Sequence, residues 1–437
     1  MSKLKLVLLL LLCVLTYSIF QIGGFFAVLG VAVSFYTFHQ LITQEERWIP
    51  IGEIALAMAA FQWIISPLIT YTIPNPMFKM SQDCSTYMMY TVPMYCCFVY
   101  GYEKFKRPFT FTIDEMQEKC LSAEYLAKTF IVIGLLTSVM PAVTLIAQIV
   151  KYLSQLMYIG FIMLMIAKPQ RATLYFVTPV IITLLYSIRG VMFHELMTWG
   201  LMLLLIWLKI KRFGIIRKIV VIALCLVCVN TIQTIKFAYR QSAWHGGGAN
   251  VSMFVNLMIN NVSSSATSNE QGYDNNSRYN QGWIISMIYN HVPNKHDYFY
   301  GRTYKDAVIA ALLPRFLVPN KKGAGQHVQS DFREMTGHPL KKNTSMGLSV
   351  LGESYGNFGL LGGAVFMFLW GVFIARIMSW VNNWAYNKSF LWILLLPIIG
   401  FVLVEAEISM ITVLNWTIKG LIFSFIIIYY CRRKGVI

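Results

Sequence analysis

Runs of apolar residues about as long as a lipid bilayer is thick set the first limit on this fold. Residues 4–20, 51–71, 191–208 and 408–430 approach or reach the roughly 20 residues needed to cross a hydrocarbon core. Lipid offers no partner to an unpaired backbone amide, so such runs must be helical. Composition agrees: 57% of the 437 residues are apolar and 13% are charged, where a soluble domain carries about 25% charged residues. The expected fold is all-α and polytopic, with about twelve transmembrane helices at 4–20, 23–40, 51–72, 85–102, 126–147, 150–167, 173–188, 191–208, 218–235, 358–378, 389–404 and 409–430.

Between the ninth and tenth spans lies a polar stretch, 236–357. Most connections between elements run to a handful of residues, so a segment of this length is read as the functional part. The expected organisation is an N-terminal transmembrane region (1–235), the large loop (236–357) and a C-terminal transmembrane region (358–437). The basic start, Lys3 and Lys5 before an apolar run, resembles a signal peptide, but no small-x-small cleavage site follows and a second apolar run begins at once. An uncleaved first span is the better reading.

The excess of Lys and Arg does not point to nucleic acid, because most of it reports topology. With a cytoplasmic N-terminus, twenty of the 36 Lys and Arg fall on cytoplasmic loops and ends, while the short loops opposite carry only Lys79, Lys151 and Arg189. That asymmetry satisfies the positive-inside rule. It puts both termini in the cytoplasm and the large loop outside it, in a cell inner-membrane protein. All eight cysteines lie outside the large loop. Cys225 and Cys228 form a C-x-x-C, but inside an apolar span and without a second pair, so packing is the better account than zinc or redox chemistry. No Gly-rich phosphate cradle is present on the cytoplasmic side, which argues against an ATP-driven pump.

Within the loop, 251–259 reads as a short amphipathic segment, 261–280 as a Ser/Asn/Gly-rich mobile tether, and 283–289 and 304–313 as helices. The loop holds twelve basic and seven acidic residues. Long loops are exempt from the positive-inside rule, so a solvated surface explains the charge by itself. The cations, however, cluster with Pro and aromatic residues in Tyr298-Phe-Tyr-Gly-Arg-Thr-Tyr304 and Leu313-Pro-Arg-Phe-Leu-Val-Pro-Asn-Lys-Lys322. Arginine forks suit phosphate oxygens, and aromatic faces suit sugar rings. A phosphate-bearing glycan satisfies both.

Gly301-Arg-Thr-Tyr304, Pro314-Arg315 with Pro319-Asn-Lys321, and Gly352-Glu-Ser-Tyr-Gly-Asn-Phe-Gly359 resemble bacterial O-antigen and capsular repeat-unit polymerases of the Wzy type. The motif similarity covers roughly residues 290–375, and many spans around a late extracytoplasmic loop match in architecture. The resemblance implies a membrane glycosyltransferase that uses no cofactor and no nucleotide sugar. Its donor is an undecaprenyl-diphosphate-linked glycan, and its partners are membrane lipids and a chain-length regulator. Lipid diphosphate is already a good leaving group, so the protein must chiefly bind its charge, orient the acceptor hydroxyl and supply a base.

Applied residue by residue, the resemblance makes Arg302 and Arg315 the first diphosphate contacts, with Arg240 and Arg189 next. Tyr304, Lys321, Lys322 and Tyr355 join them as substrate-binding residues. The Arg189-x10-Gly200 spacing is too common at this Arg and Gly content to carry weight. The base candidates are His194, Glu195 and Glu353, with Asp306 and His291 behind them. For each the plain alternative is a hydrogen-bonded group at a helix end; for Glu353 it is a charge in a helix N-terminal turn. No metal motif is visible. Lys419, deep in the last span, needs a partner, and Glu405 or Glu407 is the expected one. An O-antigen ligase shares the donor and architecture. A flippase would show repeated halves and charges near the midplane of its spans, and the span interiors here are nearly charge-free.

Overall fold

The computed structural model describes residues 3–43, 49–73, 78–107, 111–140, 147–243, 248, 250–264, 279–313, 324–340 and 346–435. Its regular structure among these residues is entirely helical. In chain order the helices are α1 (Lys3–Thr43), α2 (Ile51–Thr72), α3 (Cys84–Phe105), α4 (Ile113–Ser122), α5 (Glu124–Ser138), α6 (Ala147–Ala167), α7 (Ala172–Gly190), α8 (His194–Ile210) and α9 (Ile215–Ser242). The large loop contributes α10 (Val251–Ser264), α11 (Gly282–His291), α12 (Arg302–Leu312) and α13 (Ala324–Thr336). Then follow α14 (Val350–Asn387), α15 (Leu391–Leu394), α16 (Leu396–Gly400), a tighter turn at Phe401–Val404, and α17 (Met410–Arg433).

Seven of these helices are long and apolar enough to cross a membrane, or eight if the α4–α5 pair, bent by 70°, counts as one span. The expected count was twelve, and the difference is local. The expected spans 4–20 and 23–40 are the two halves of α1, which breaks at Gly24 (φ 68, ψ −162). The expected 389–404 is three short helical pieces. The apolar α8 has 17 residues, and α3 has the length but a more polar composition. In the loop, the helices expected at 283–289 and 304–313 are α11 and α12, and the amphipathic 251–259 is the start of α10. Most of the 261–280 tether lies outside the described residues.

Helix α3 starts on an Asp83 cap, whose carboxylate accepts Thr86 N–H at 2.9 Å. Three elements then pack along it. Tyr102, Tyr87 and Tyr71 bond Glu53, Trp63 O and Gln82 O at 2.7, 2.8 and 2.9 Å, so α2 runs antiparallel to α3. Gly23 lies against Cys84 and Met88, Gly30 against Val92, and Thr37 meets Tyr95, so the second half of α1 runs parallel to it. The second half of α14 is also parallel, and very close. A Cβ on Gly371 would stand 2.3 Å from Phe98 O, and one on Gly101 would stand 2.2 Å from Phe368 O. Small residues permit such backbone approach between apolar helices.

α14 also breaks at a glycine, Gly359 (φ 68, ψ −167), a conformation essentially closed to residues with a side chain. The break is sharp: a Cβ on Gly363 would lie 3.4 Å from the backbone of Ser354 and Tyr355, nine and eight residues earlier. The first part of α14 thus folds back over the bundle. It packs against α11 (Gly352 on Ile288 and Ile285) and α13 (Gly356 on Met335). α11 in turn is rooted in the bundle: Gln281 N–H donates to Gln62 O at 3.2 Å, and Tyr289 bonds Thr91 at 3.0 Å. The loop elements therefore cap the end of the bundle that carries Asp83, here the loop end. The opposite end carries Lys104, Lys106, Arg107 and Arg376.

Candidate functional site

Two constellations gather at the loop end. The first is built on Glu353, in the first turn of α14 and 2% exposed. Its Oε2 accepts Met410 N–H at 2.8 Å and so holds the start of α17; Thr303 of α12 also hydrogen-bonds it. One turn on, Asn357 Oδ1 accepts Gly301 N–H at 3.0 Å, and its Nδ2 donates to Thr303 Oγ1 and Glu353 O, each at 2.8 Å. Glu353 and Asn357 thereby brace the N-termini of α12 and α17. The carboxylate faces protein donors on both sides.

Around this brace the other expected residues separate. Arg302 opens α12 with its guanidinium 4.7 Å from the Phe299 ring centre and ion-paired with Glu334 of α13. Tyr304 stacks on Phe366 with ring centres 4.2 Å apart, and its buried hydroxyl has no hydrogen-bond partner among the described residues. Tyr355 lies in a cluster of tyrosines, 4.5 Å from Tyr289, 5.7 Å from Tyr90 and 6.2 Å from Tyr298 between ring centres. Asp306 faces His327 at 4.0 Å. Arg315, Lys321 and Lys322 lie outside the described residues.

The second constellation is ionic and sits among apolar helices. Phe401–Val404 leads into a turn, Glu405–Ser409, which the chain tucks against α2: Trp63 Nε1 donates to Ala406 O at 3.3 Å. A π-helical turn at Phe61–Ile65 interrupts α2 at this point. Such turns recur at functional sites. Gln62, within the π turn, donates through Nε2 to Glu407 Oε2 at 2.8 Å. Burial, then the neighbouring Glu405, pushes the Glu407 carboxyl above its ordinary range.

Beside it, His194 in the first turn of α8 has Nε2 2.7 Å from Glu405 Oε1. The histidine side chain is 51% exposed and the glutamate 11%, so one ring nitrogen is anchored while the imidazole stays accessible. Glu195, next in the chain, pairs with Lys151 of α6. Deeper along α17, Lys419 Nζ donates to Gln148 Oε1 at 2.7 Å. The partner expected for Lys419 was Glu405 or Glu407; α6 supplies Gln148. Ionisable groups are expensive in a membrane and mark working sites there.

Arg189 is exposed at the C-terminus of α7. Arg240 Nε donates to Val191 O at 3.2 Å and Tyr239 to Ile188 O at 3.0 Å, pinning the α7–α8 turn that delivers His194. Of the expected residues, His194 and Glu195 meet here, beside Glu405, Glu407, Gln62 and Lys151, which the sequence does not name as their companions. Two glutamates in an otherwise apolar tail were the available signal. Among the described residues, no three His, Cys, Asp or Glu side chains are grouped to hold a metal ion.

An all-helical bundle with seven apolar helices among the described residues, and an ionic cluster beneath a loop cap, is compatible with a multi-pass membrane protein. The chain belongs to the DUF8712 family, described as a domain of unknown function, whose family model matches residues 70–386. No curated protein and no solved structure matches the chain. The matched region contains Lys151, His194, Glu195 and the Glu353 brace; the Glu405–Ser409 turn follows it.

Proposed function

We propose that this chain is a cytoplasmic-membrane glycosyltransferase that polymerises undecaprenyl-diphosphate-linked oligosaccharide repeat units. In this reading it has about twelve membrane crossings, its termini lie in the cytoplasm, and α10–α13 lie on the extracytoplasmic side. The observation that carries the reading is the His194–Glu405 pair, half accessible at the loop end of an apolar bundle and flanked by Lys151–Glu195.

The chemistry asks for a base at the acceptor and a cradle for a departing diphosphate. With Nε2 held by Glu405, His194 offers Nδ1 to the acceptor hydroxyl. The hydroxyl oxygen attacks the anomeric carbon of the donor, and its proton passes to His194. The bond between that carbon and the diphosphate oxygen breaks, and the lipid diphosphate leaves with the electron pair. Glu405 then faces an imidazolium and stabilises it, as a carboxylate does behind a basic histidine. Arg189, beside the α8 entrance, and the loop cations Arg315, Lys321 and Lys322 supply positive charge for the diphosphate.

The test is deletion of the gene followed by electrophoresis of surface polysaccharide and analysis of lipid-linked intermediates. Loss of long polymer, with single lipid-linked repeats left outside the cytoplasm, is the expected result, and His194→Ala should reproduce it. Repeats stranded on the cytoplasmic side would identify a transporter instead. Long free polymer that fails to reach its lipid anchor would identify a ligase.

A further inference from the structure

At the end of the bundle opposite the loop, the turns before α7 and between α8 and α9 meet. Residues 168–171 and 209–218 contain seven Lys and Arg and no Asp or Glu. The two turns are tied together: Lys211 Nζ donates to Pro169 O at 3.3 Å, and Trp207 Nε1 to Thr173 Oγ1 at 3.3 Å. Trp207 also stacks on Phe176 and meets Phe213 edge-on, with ring centres 5.2 and 5.3 Å apart. Arg212 is held in the left-handed region at φ 51, a conformation that residues with side chains seldom adopt. The tie holds together the two turns that carry the cations.

Glu124 Oε1 takes Lys168 at 2.7 Å and Lys128 at 2.9 Å. Arg171, Arg212 and Arg217 are exposed and carry their charge outward. Directly beside them the surface turns apolar: Leu174, Ile216 and Ile219 are 59%, 75% and 51% exposed. Cations in a cluster at the foot of outward-facing aliphatic side chains match one chemistry, a phosphodiester headgroup with acyl chains beneath it. We propose that this double turn is a binding site for anionic phospholipid of the adjoining leaflet, with Arg171, Arg212 and Arg217 as the headgroup contacts. Charge complementarity selects the headgroup, and continuity with the aliphatic flank of α7 and α9 selects a lipid over a free anion. The proposal stands apart from the glycosyltransferase reading, because it uses none of the residues at the loop end.

The experiment uses the full chain in a nonionic detergent at low salt. Dioleoylphosphatidylglycerol, dioleoylphosphatidylcholine and inorganic phosphate are added in turn, with bound lipid read by native mass spectrometry and stability by thermal unfolding. Phosphatidylglycerol should remain bound and raise the melting temperature, phosphatidylcholine should do neither, and added salt should reverse the effect. The triple variant Arg171→Gln, Arg212→Gln, Arg217→Gln should bind phosphatidylglycerol about tenfold or more weakly, since each basic group near an anionic surface contributes roughly fivefold. A matching Arg→Lys triple variant should keep binding, which separates lost charge from lost folding.

Four results would overturn the proposal. One is equal retention of the two lipids, and another is unchanged phosphatidylglycerol binding in the Gln variant. The third is the same weakening from Lys104→Gln, Lys106→Gln, Arg107→Gln on a different turn. If inorganic phosphate alone reproduces the stabilisation, the site is one for free anions and the lipid assignment fails.

Discussion

Glu353 shows how a single side chain can read as chemistry in sequence and as architecture in three dimensions. Its carboxylate accepts the buried Met410 N–H and braces α12 through Thr303. Removing the acceptor leaves that donor unsatisfied, at a cost of about 1–3 kcal/mol. Glu353→Ala should therefore lower the melting temperature of the purified protein clearly more than Glu353→Gln, which keeps an oxygen in place. Equal losses would show that the brace does not act through this bond. His291, in the loop, makes a second residue-scale case. Burial first, then His296, Lys295 and His338, hold its pKa below the ordinary 6.5. A base with a depressed folded-state pKa binds fewer protons folded than unfolded, so stability rises with pH through that window. Acidification below about pH 6.5 should destabilise the protein, and His291→Gln should flatten that part of the melting-temperature profile. A profile unchanged by the substitution would remove His291 from the account.

At the scale of elements, what was legible depended on whether the signal was summed or singular. Hydropathy sums over a window, so the apolar helices α2, α6, α7, α9 and α17 stand near their expected places. A helix break resides in one residue, and averaging hides it. Gly24 and Gly359 adopt almost the same backbone conformation, φ 68 with ψ near the extended limit, and each redirects a helix beside α3. The Gly-rich run 352–359 reads as a motif, but nothing in its composition distinguishes a sharp break from an ordinary entry into a span. The site divides the same way. His194 and Glu195 were visible because charge beside an apolar run is rare. Glu405 was not seen as the partner of His194, because the contact closes over 211 residues of chain. Gly359→Ala makes the point testable. Its Cβ would meet the Tyr298 hydroxyl at 3.1 Å, and forcing a side chain into this backbone region costs of order 1–3 kcal/mol. A marked fall in melting temperature is expected, larger than for Gly200→Ala in the open middle of α8. If the two variants melt alike, the break at Gly359 is not a required feature of the fold.

For the whole molecule, the question is whether the ionic cluster works as a unit with the cap above it or only holds helices together. A structural ion pair and a catalytic pair predict different couplings. Lys151–Glu195 joins α6 to α8, and His194–Glu405 joins α8 to the turn before α17, so both ties converge on α8. If both are only struts, single and double substitutions should scale polymer output with thermal stability, and a stabilising condition should rescue each of them. If His194 and Glu405 act together on the acceptor, His194→Ala and Glu405→Ala should each reduce polymer formation by about 10²–10⁴-fold, the range for loss of a general base. The double variant should then be scarcely worse than either single one, because groups that act as a unit are strongly non-additive. Melting temperatures would move little in that series, since His194 is half exposed and an accessible pair of this kind adds on the order of 1 kcal/mol or less. Lys151→Met with Glu195→Met is the control for a strut: it should leave the pH profile of polymer formation in place. Additive losses at His194 and Glu405 that follow stability would return the cluster to a structural role and move the search for the base to the loop residues above it.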